Sequence, residues 1–147
     1  MALTVFTPSR FFLQNMVNGN LKPTNTFACE IFPTFAGDTN TSIERNLRSD
    51  LDGSTSAGMT TVLTGVQFVL NATTKKIEFK SNPIVFSNLG TAETPVAFKS
   101  AWVYMLGGNA ETGVNPICFA MYLPADQQLI NDDLILTPSA SGWLTIG

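Results

Sequence analysis

Hydrophobic and polar residues alternate along most of the second half of the chain, which predicts strands rather than helices. The alternating segments are residues 61–70, 75–79, 84–86, 96–106, 116–123, 134–137 and 142–146. They are rich in β-branched and aromatic residues, and short runs of Asn, Thr and Gly separate several of them. Asn71-Ala72-Thr73-Thr74 predicts a hairpin, and the glycine-rich stretch 107–113 predicts a second reversal. The predicted core positions are Phe68, Phe79, Phe86, Val103, Phe119 and Leu136.

The first 60 residues carry a different pattern, with one strand and two short predicted helices. Thr7 can cap the first helix, Pro8 suits its first position and Gly19 ends it. Its apolar stripe consists of Phe11, Phe12, Met16 and Val17. Residues 26–33 then alternate as a strand that ends at a proline, with Phe27, Cys29 and Ile31 on one face.

A second helix is predicted after residue 40. Thr41-Ser42-Ile43-Glu44 resembles a capping box, and Ile43, Leu47 and Leu51 follow at helical spacing. With this little helix and seven or eight strands, the chain is predicted to be all-β, an antiparallel β-sandwich or jelly-roll-like fold. The sequence predicts one domain, 1–147. Residues 1–60 supply a helix, a strand and covering loops, and residues 61–147 supply the main strands.

Composition narrows the range of functions. Charged residues make up 13% of the chain against about 25% in an ordinary domain, and the net charge is −3. Histidine is absent, which excludes Ser-His-Asp and Cys-His catalysis and imidazole-bound zinc. Because the net charge is negative, no overall positive potential attracts the chain to nucleic acid or anionic lipid. We therefore expect no enzyme activity, no catalytic residue, no cofactor and no metal.

The two cysteines, Cys29 and Cys118, lie in alternating apolar runs without a Cys-x-x-Cys spacing. This favours two reduced, buried thiols, and a disulfide between adjacent strands is the alternative. Asp50 and Asp52 precede a glycine as in the start of a calcium loop. The loop lacks the remaining ligands at the required spacing, so an Asx-type turn is favoured. Residues 131–133, Asn-Asp-Asp, are interpreted as a solvated turn.

Two further clusters have a structural and a functional interpretation. Lys75, Lys76 and Lys80 predict an edge strand guarded by lysines rather than a nucleic-acid surface, which would need more arginine. On this strand Ile77 and Phe79 share one face, and Lys76, Glu78 and Lys80 are expected to point outward. Trp102 and Tyr104 share one face of a predicted strand. Exposed, they would form a platform for stacking on a sugar; buried, they would be core or interface residues, which is the more common case.

The start of the sequence, Met1-Ala2-Leu3-Thr4-Val5-Phe6, lacks the features of a signal peptide, and no apolar run is long enough for a membrane span. We expect no membrane partner and expect the protein to be made, or assembled, in a cytosol. Six phenylalanines precede residue 60, more than a cover for the sandwich requires: Phe6, Phe11, Phe12, Phe27, Phe32 and Phe35. They suit a contact between subunits, so a homo-oligomer is expected.

The second half of the chain carries a resemblance. Residues 97–104 (AFKSAWVY), 115–122 (NPICFAMY), 131–137 (NDDLILT) and 141–144 (SGWL) follow each other in an order similar to that of small virion proteins of tailed bacteriophages. The resemblance implies a structural role in the particle, in particular a capsid decoration (cement) protein bound to the major capsid protein, with a trimer favoured. The alternatives are a tail, connector or fibre-base component, and a carbohydrate-binding β-sandwich.

Overall fold

The chain folds into antiparallel sheets with a single eight-residue helix among the residues that the computed structural model describes, which are 4–6, 10–33, 46–51 and 59–146. The helix is α1 (Arg10–Val17), and Arg48–Leu51 forms one 3₁₀ turn. The strands are β1 (Thr4–Phe6), β2 (Phe27–Phe32), β3 (Thr60–Val62), β4 (Gln67–Asn71), β5 (Lys76–Lys80), β6 (Ile84–Leu89), β7 (Val96–Met105), β8 (Gly108–Asn109), β9 (Gly113–Val114), β10 (Ile117–Leu129), β11 (Asp132–Leu136) and β12 (Leu144–Ile146). The predicted all-β, sandwich-like fold is confirmed.

The main sheet has five strands in the order β1-β10-β7-β2-β3. The opposing layer consists of a three-stranded sheet, β12-β5-β4, and the pair β11-β6, while β8 and β9 form a small separate hairpin. Aromatic rings join the layers: Phe79 of β5 lies 5.4 Å from Phe27 of β2 and 5.3 Å from Phe119 of β10, ring centre to ring centre. Both pairs are edge-to-face, the arrangement that the ring quadrupole favours. This aromatic contact is the centre of the sandwich.

The predicted core is largely confirmed. Phe79, Phe86, Val103, Phe119 and Leu136 are buried in one cluster between the layers, and Phe68 is half-buried against it. We call this set of residues between the layers the inner cluster. A second, smaller cluster lies on the opposite face of the main sheet and is called the outer cluster. It consists of Ala28, Phe32, Leu51, Trp102, Tyr104, Ile117 and Ala120.

The strand β2 therefore has both faces buried, whereas the alternation predicted one buried face. Phe27, Cys29 and Ile31 point into the inner cluster as expected. The intervening residues are buried too, because β2 lies between β3 and β7 and the segment 46–51 packs over its other face.

Several predicted boundaries change in the structure. The strand predicted at 116–123 runs on to Leu129, passing a register shift between Tyr122 and Gln127, and is the longest of the described strands. The first helix is confirmed and ends at Val17, and Gly19, two residues later, has a φ of 72° that suits glycine. Val17 was wrongly placed on its buried stripe: it is 86% exposed. The capping residues 7–8 and the capping box 41–44 lie outside the described residues, as does Phe35.

The predicted hairpin after residue 70 is confirmed. β4 and β5 pair in continuous register from Gln67 with Lys80 to Asn71 with Lys76. The Asn71 side-chain oxygen accepts hydrogen bonds from the backbone N–H groups of Thr73 and Thr74, at 3.0 and 3.1 Å. This Asx turn fixes the reversal without a glycine at its centre.

Candidate functional site

The most elaborate polar arrangement in the described part of the chain is a cluster of Glu30, Arg48 and Tyr104 on the outer face of the main sheet. Arg48 donates two hydrogen bonds to the Glu30 carboxylate, from Nε to Oε1 at 2.9 Å and from Nη2 to Oε2 at 2.8 Å. The Tyr104 hydroxyl donates to Oε1 at 3.1 Å. Glu30 and Tyr104 are buried, and the Arg48 side chain retains 21% exposure. We call this set the acid–arginine cluster.

Strand register places two of the three side chains. Glu30 of β2 lies opposite Trp102 of β7, and Tyr104 is two residues further along β7, so both project from the same face. On that face the Trp102 indole N–H donates to the Ser100 hydroxyl at 3.3 Å, which satisfies a buried donor. The outer face of the main sheet is thus largely apolar around the charged Glu30 carboxylate.

The third side chain comes from the segment 46–51, which is tied to the start of β10. The Arg48 N–H donates to the Asn115 carbonyl and the Ile117 N–H donates to the Asn46 carbonyl, both at 2.9 Å. The Arg48 guanidinium also lies over the Phe32 ring, 5.5 Å from its centre, at the range of a cation–π contact. Arg48 therefore fastens this segment to the sheet through charge, ring and backbone contacts together.

The surroundings of the Tyr104 phenol keep it in its protonated form. Burial is the largest cause that raises the pKa of Tyr104, and the negative charge of Glu30 raises it further. The phenol consequently stays protonated and remains a hydrogen-bond donor to Glu30. A bidentate arginine–carboxylate pair with a neutral phenol beside it positions chain segments rigidly, and it does not generate a nucleophile.

The cysteine interpretation is settled by strand order. Cys29 and Cys118 are both buried free thiols. They lie on β2 and β10, which are separated by β7, so two strand spacings of about 4.8 Å put the backbones beyond the roughly 7 Å limit for a disulfide. The alternative of a disulfide between adjacent strands is therefore wrong. Burial strongly raises the pKa of each thiol, which keeps both unreactive.

The acidic turns have local partners. Asp50 Oδ2 accepts hydrogen bonds from the backbone N–H groups of Asn46 and Leu47, at 2.8 and 2.9 Å. These donors precede Asp50 in the chain, whereas an Asx turn uses the N–H group two residues later, so these bonds are not the predicted Asx-type turn. Asp52 lies outside the described residues. Asp133 accepts from the Asn88 N–H at 2.7 Å and so secures the junction of β6 and β11. Within the described ranges, no group of three or more Cys, Asp or Glu side chains has an arrangement suited to a metal ion.

The lysine interpretation needs correction. β5, which carries Lys76 and Lys80, is the central strand of its sheet and not an edge, because β12 pairs with its free side. Glu78, expected to point to solvent, is buried on the outer face of β5 under Asn71 and Lys80. The hydrogen bond from Asn71 is the largest cause that lowers the pKa of Glu78, and Lys80 adds to it. Lys80 therefore forms an ion pair with Glu78 and does not protect a strand edge.

Trp102 and Tyr104 are both buried in the outer cluster, which agrees with their interpretation as core or interface residues. The sugar-stacking platform is therefore wrong for this pair. In the described residues no helix is long and apolar enough to cross a membrane.

Glu30 and Arg48 were not recognised from the sequence as a site. The only local indication was one acidic residue within the otherwise apolar strand FACEIF. Its partner lies 18 residues later, in a segment whose pattern predicted a helix.

The chain was compared with protein-family models, with curated proteins and with solved structures, and none of the three comparisons gives a match.

Proposed function

We propose that the chain is a structural protein of a tailed-bacteriophage particle, most specifically a capsid decoration (cement) protein that binds the outer shell and stabilises it against the pressure of packaged DNA. The order of motifs in the second half supports this role, and so does a surface poor in charge. The proposal assigns no catalytic residue and no cofactor.

One surface feature carries the proposal, the outer face of the β6–β11 pair. Val85 and Ile135 lie directly opposite each other there and are 43% and 53% exposed. Alternation would place polar residues at such positions, as it does at Ser87 on the same strand. A small flat apolar pair supplies a modest contact, and modest contacts suffice when many copies bind a repeating lattice.

The proposed partners are the major capsid protein and further copies of the chain, with a trimer favoured because threefold positions recur across an icosahedral shell. The protein would be assembled in the host cytoplasm and located on the capsid surface. A tail, connector or fibre-base location would use the same apolar pair against a different partner, so location within the particle distinguishes the two.

The test combines location with a binding assay. Mass spectrometry of purified particles gives the copy number, and a reconstruction gives the position; we expect many copies on the shell. A few copies confined to the tail would replace the cement role by the tail role, and absence from particles would overturn both.

The binding assay uses shells stripped of the protein. The double substitution Val85→Asp with Ile135→Asp is expected to weaken binding at least about tenfold. The control is Val114→Asp, which adds a charge at a more exposed apolar position on the β8–β9 hairpin. All variants are first shown to melt as the unsubstituted chain does. Equal binding by the double variant would remove the β6–β11 face from the proposal.

A further inference from the structure

Among the strands that the structure describes, β4 has an unprotected outer edge. Folded proteins blunt such edges with charges, prolines, bulges or very short strands, because an open row of N–H and C=O groups pairs with other chains. β4 has five residues, QFVLN, without charge, proline or glycine, and its register with β5 is free of bulges. Within the described part of the chain it pairs on one side only, with β5.

The other terminal strands are better protected. β1, β3 and β12 have three residues each, so each offers few groups to a partner. β11 begins with two exposed acidic residues, Asp132 and Asp133. β6 has six uncharged residues and is also terminal in its sheet, but a bulge between Phe86 and Leu89 interrupts its register with β11. β4 thus combines length, neutrality and an unbroken register, which the other described edges do not.

Apolar surface continues past the core on this sheet. Leu70 and its cross-strand neighbour Ile77 project from the same face as Phe68 and Phe79, but Leu70 is 67% exposed and Ile77 is exposed as well. The hairpin therefore extends beyond the inner cluster and leaves this apolar surface open beside the free edge.

We infer that β4 pairs with β4 of a second copy, antiparallel and across a twofold axis centred on Val69. This register opposes Phe68 to Leu70 of the other copy twice, and Gln67 to Asn71 twice, with Val69 opposite itself. Apolar residues meet apolar residues on the core side, and amides meet amides on the outer side. Such self-complementarity is what a twofold interface requires, and it identifies a second copy as the occupant.

Electrostatics permit the pairing. In the joined sheet, Lys80 of one copy and Lys76 of the other share a row but stand three strand spacings apart, about 14 Å. This exceeds the Debye length of about 8 Å at physiological salt, so their repulsion is largely screened. The inference does not depend on the virion role, and a twofold contact of this kind is compatible with a trimer formed through another surface.

A cysteine placed at the twofold axis tests the register. Directly opposed residues of an antiparallel pair have Cβ atoms about 4.5–5.5 Å apart, within reach of a disulfide after small adjustment. Val69→Cys should therefore cross-link to a covalent dimer under mild copper–phenanthroline oxidation. Gln67→Cys is the control on the same edge, because the two copies of this position would lie about 14 Å apart. The native thiols of Cys29 and Cys118 are buried and do not interfere.

We expect Val69→Cys to form the dimer at least about tenfold faster than Gln67→Cys. Equal rates, or no cross-linking by either variant, would overturn the pairing. The cross-link reports this edge alone, so it can succeed or fail whatever the location of the protein in a particle.

A charge at the axis tests association without cross-linking. Val69→Lys faces the carboxylate of Glu78 within its own sheet but opposes an identical ammonium group across the axis. Thr145→Lys is the matched control: it adds the same charge opposite the same Glu78, on β12, away from the β4 edge. In sedimentation measurements, Val69→Lys should weaken self-association at least about tenfold and Thr145→Lys should leave it unchanged. Equal effects of the two substitutions, or an unsubstituted chain without any self-association, would contradict the inference.

Discussion

Three side chains of the main sheet are buried and carry a group that can lose a proton: the thiols of Cys29 and Cys118 and the phenol of Tyr104. Burial is the first cause that raises each pKa, because a thiolate or phenolate would lose its hydration there. For Cys29 and Tyr104 the negative charge of Glu30 acts in the same direction. Through these side chains, the stability of the fold depends on pH in the alkaline range and not near neutrality.

The free energy of unfolding should fall as the pH rises above about 9. The ordinary thiol pKa is 9.0, so the unfolded chain loses these protons where the folded chain keeps them. Each thiol then lowers stability by about 1.4 kcal/mol per pH unit, and the pair by about 2.7. Tyr104 adds to this slope only above its ordinary pKa of 10.0. Urea unfolding between pH 8 and 10 measures the slope.

The control for this prediction is Cys29→Ala, with Cys118→Ala as its counterpart. Each substitution should remove about half of the slope between pH 9 and 10. A slope that does not change in either variant would show that other groups cause the alkaline loss of stability.

At the scale of single elements, β2 shows where sequence patterns succeed and fail. The alternation of Phe27, Cys29 and Ile31 predicted its inner face correctly. It could not predict the buried outer face, because Glu30 is a charged residue whose burial depends on Arg48, which is distant in sequence. Glu78 on β5 was misplaced for the same reason, since Asn71 and Lys80 make its burial tolerable. Local patterns record side-chain polarity and not the partner that compensates it.

Removing Arg48 should destabilise the protein more than replacing the whole acid–arginine cluster. Arg48→Ala leaves the Glu30 carboxylate buried without its guanidinium, and the loss is expected near 3 kcal/mol, the lower end for buried pairs because Arg48 is partly exposed. Urea unfolding at pH 7 measures it. The control replaces the three members together, Glu30→Met, Arg48→Met and Tyr104→Phe, which leaves no uncompensated charge. A loss in the triple variant as large as in Arg48→Ala would contradict this explanation.

At the scale of the whole molecule, the sequence predicted most of the strands but not their order. The single strand predicted at 61–70 is two strands, β3 and β4, in different sheets, and β1 was not predicted. The hairpin of β4 and β5 follows from its turn residues. Nothing local indicates that β1 lies beside β10, that β2 lies beside β7, or that β6 and β11 form their own pair. Which strands pair is determined by how side chains that are distant in sequence pack around the inner cluster. A short stretch of sequence never contains both strands of such a pair.

The aromatic contact between the layers should dominate stability. Phe119 is fully buried and lies between Phe79 and Trp143, so Phe119→Ala is expected to cost about 3–5 kcal/mol. Phe68→Ala, at a half-buried position 4.9 Å from the Phe79 ring centre, is the control and should cost less than about 2 kcal/mol. Thermal and urea unfolding of the two variants would compare them. Equal losses would show that the centre of the sandwich lies elsewhere.

The position of β1 beside β10 has a consequence for synthesis on the ribosome. Thr4 pairs with Tyr122, so the backbone of β1 has no strand partner until more than a hundred further residues have been made. At about 5–20 residues per second this interval is on the order of 10 s. The β4–β5 hairpin can form from its own residues well within that time, whereas the five-stranded sheet closes only after β10 has been made. Proteolysis of stalled nascent chains should therefore cut at β1 until residue 122 has emerged, and early protection of β1 would contradict this order of folding.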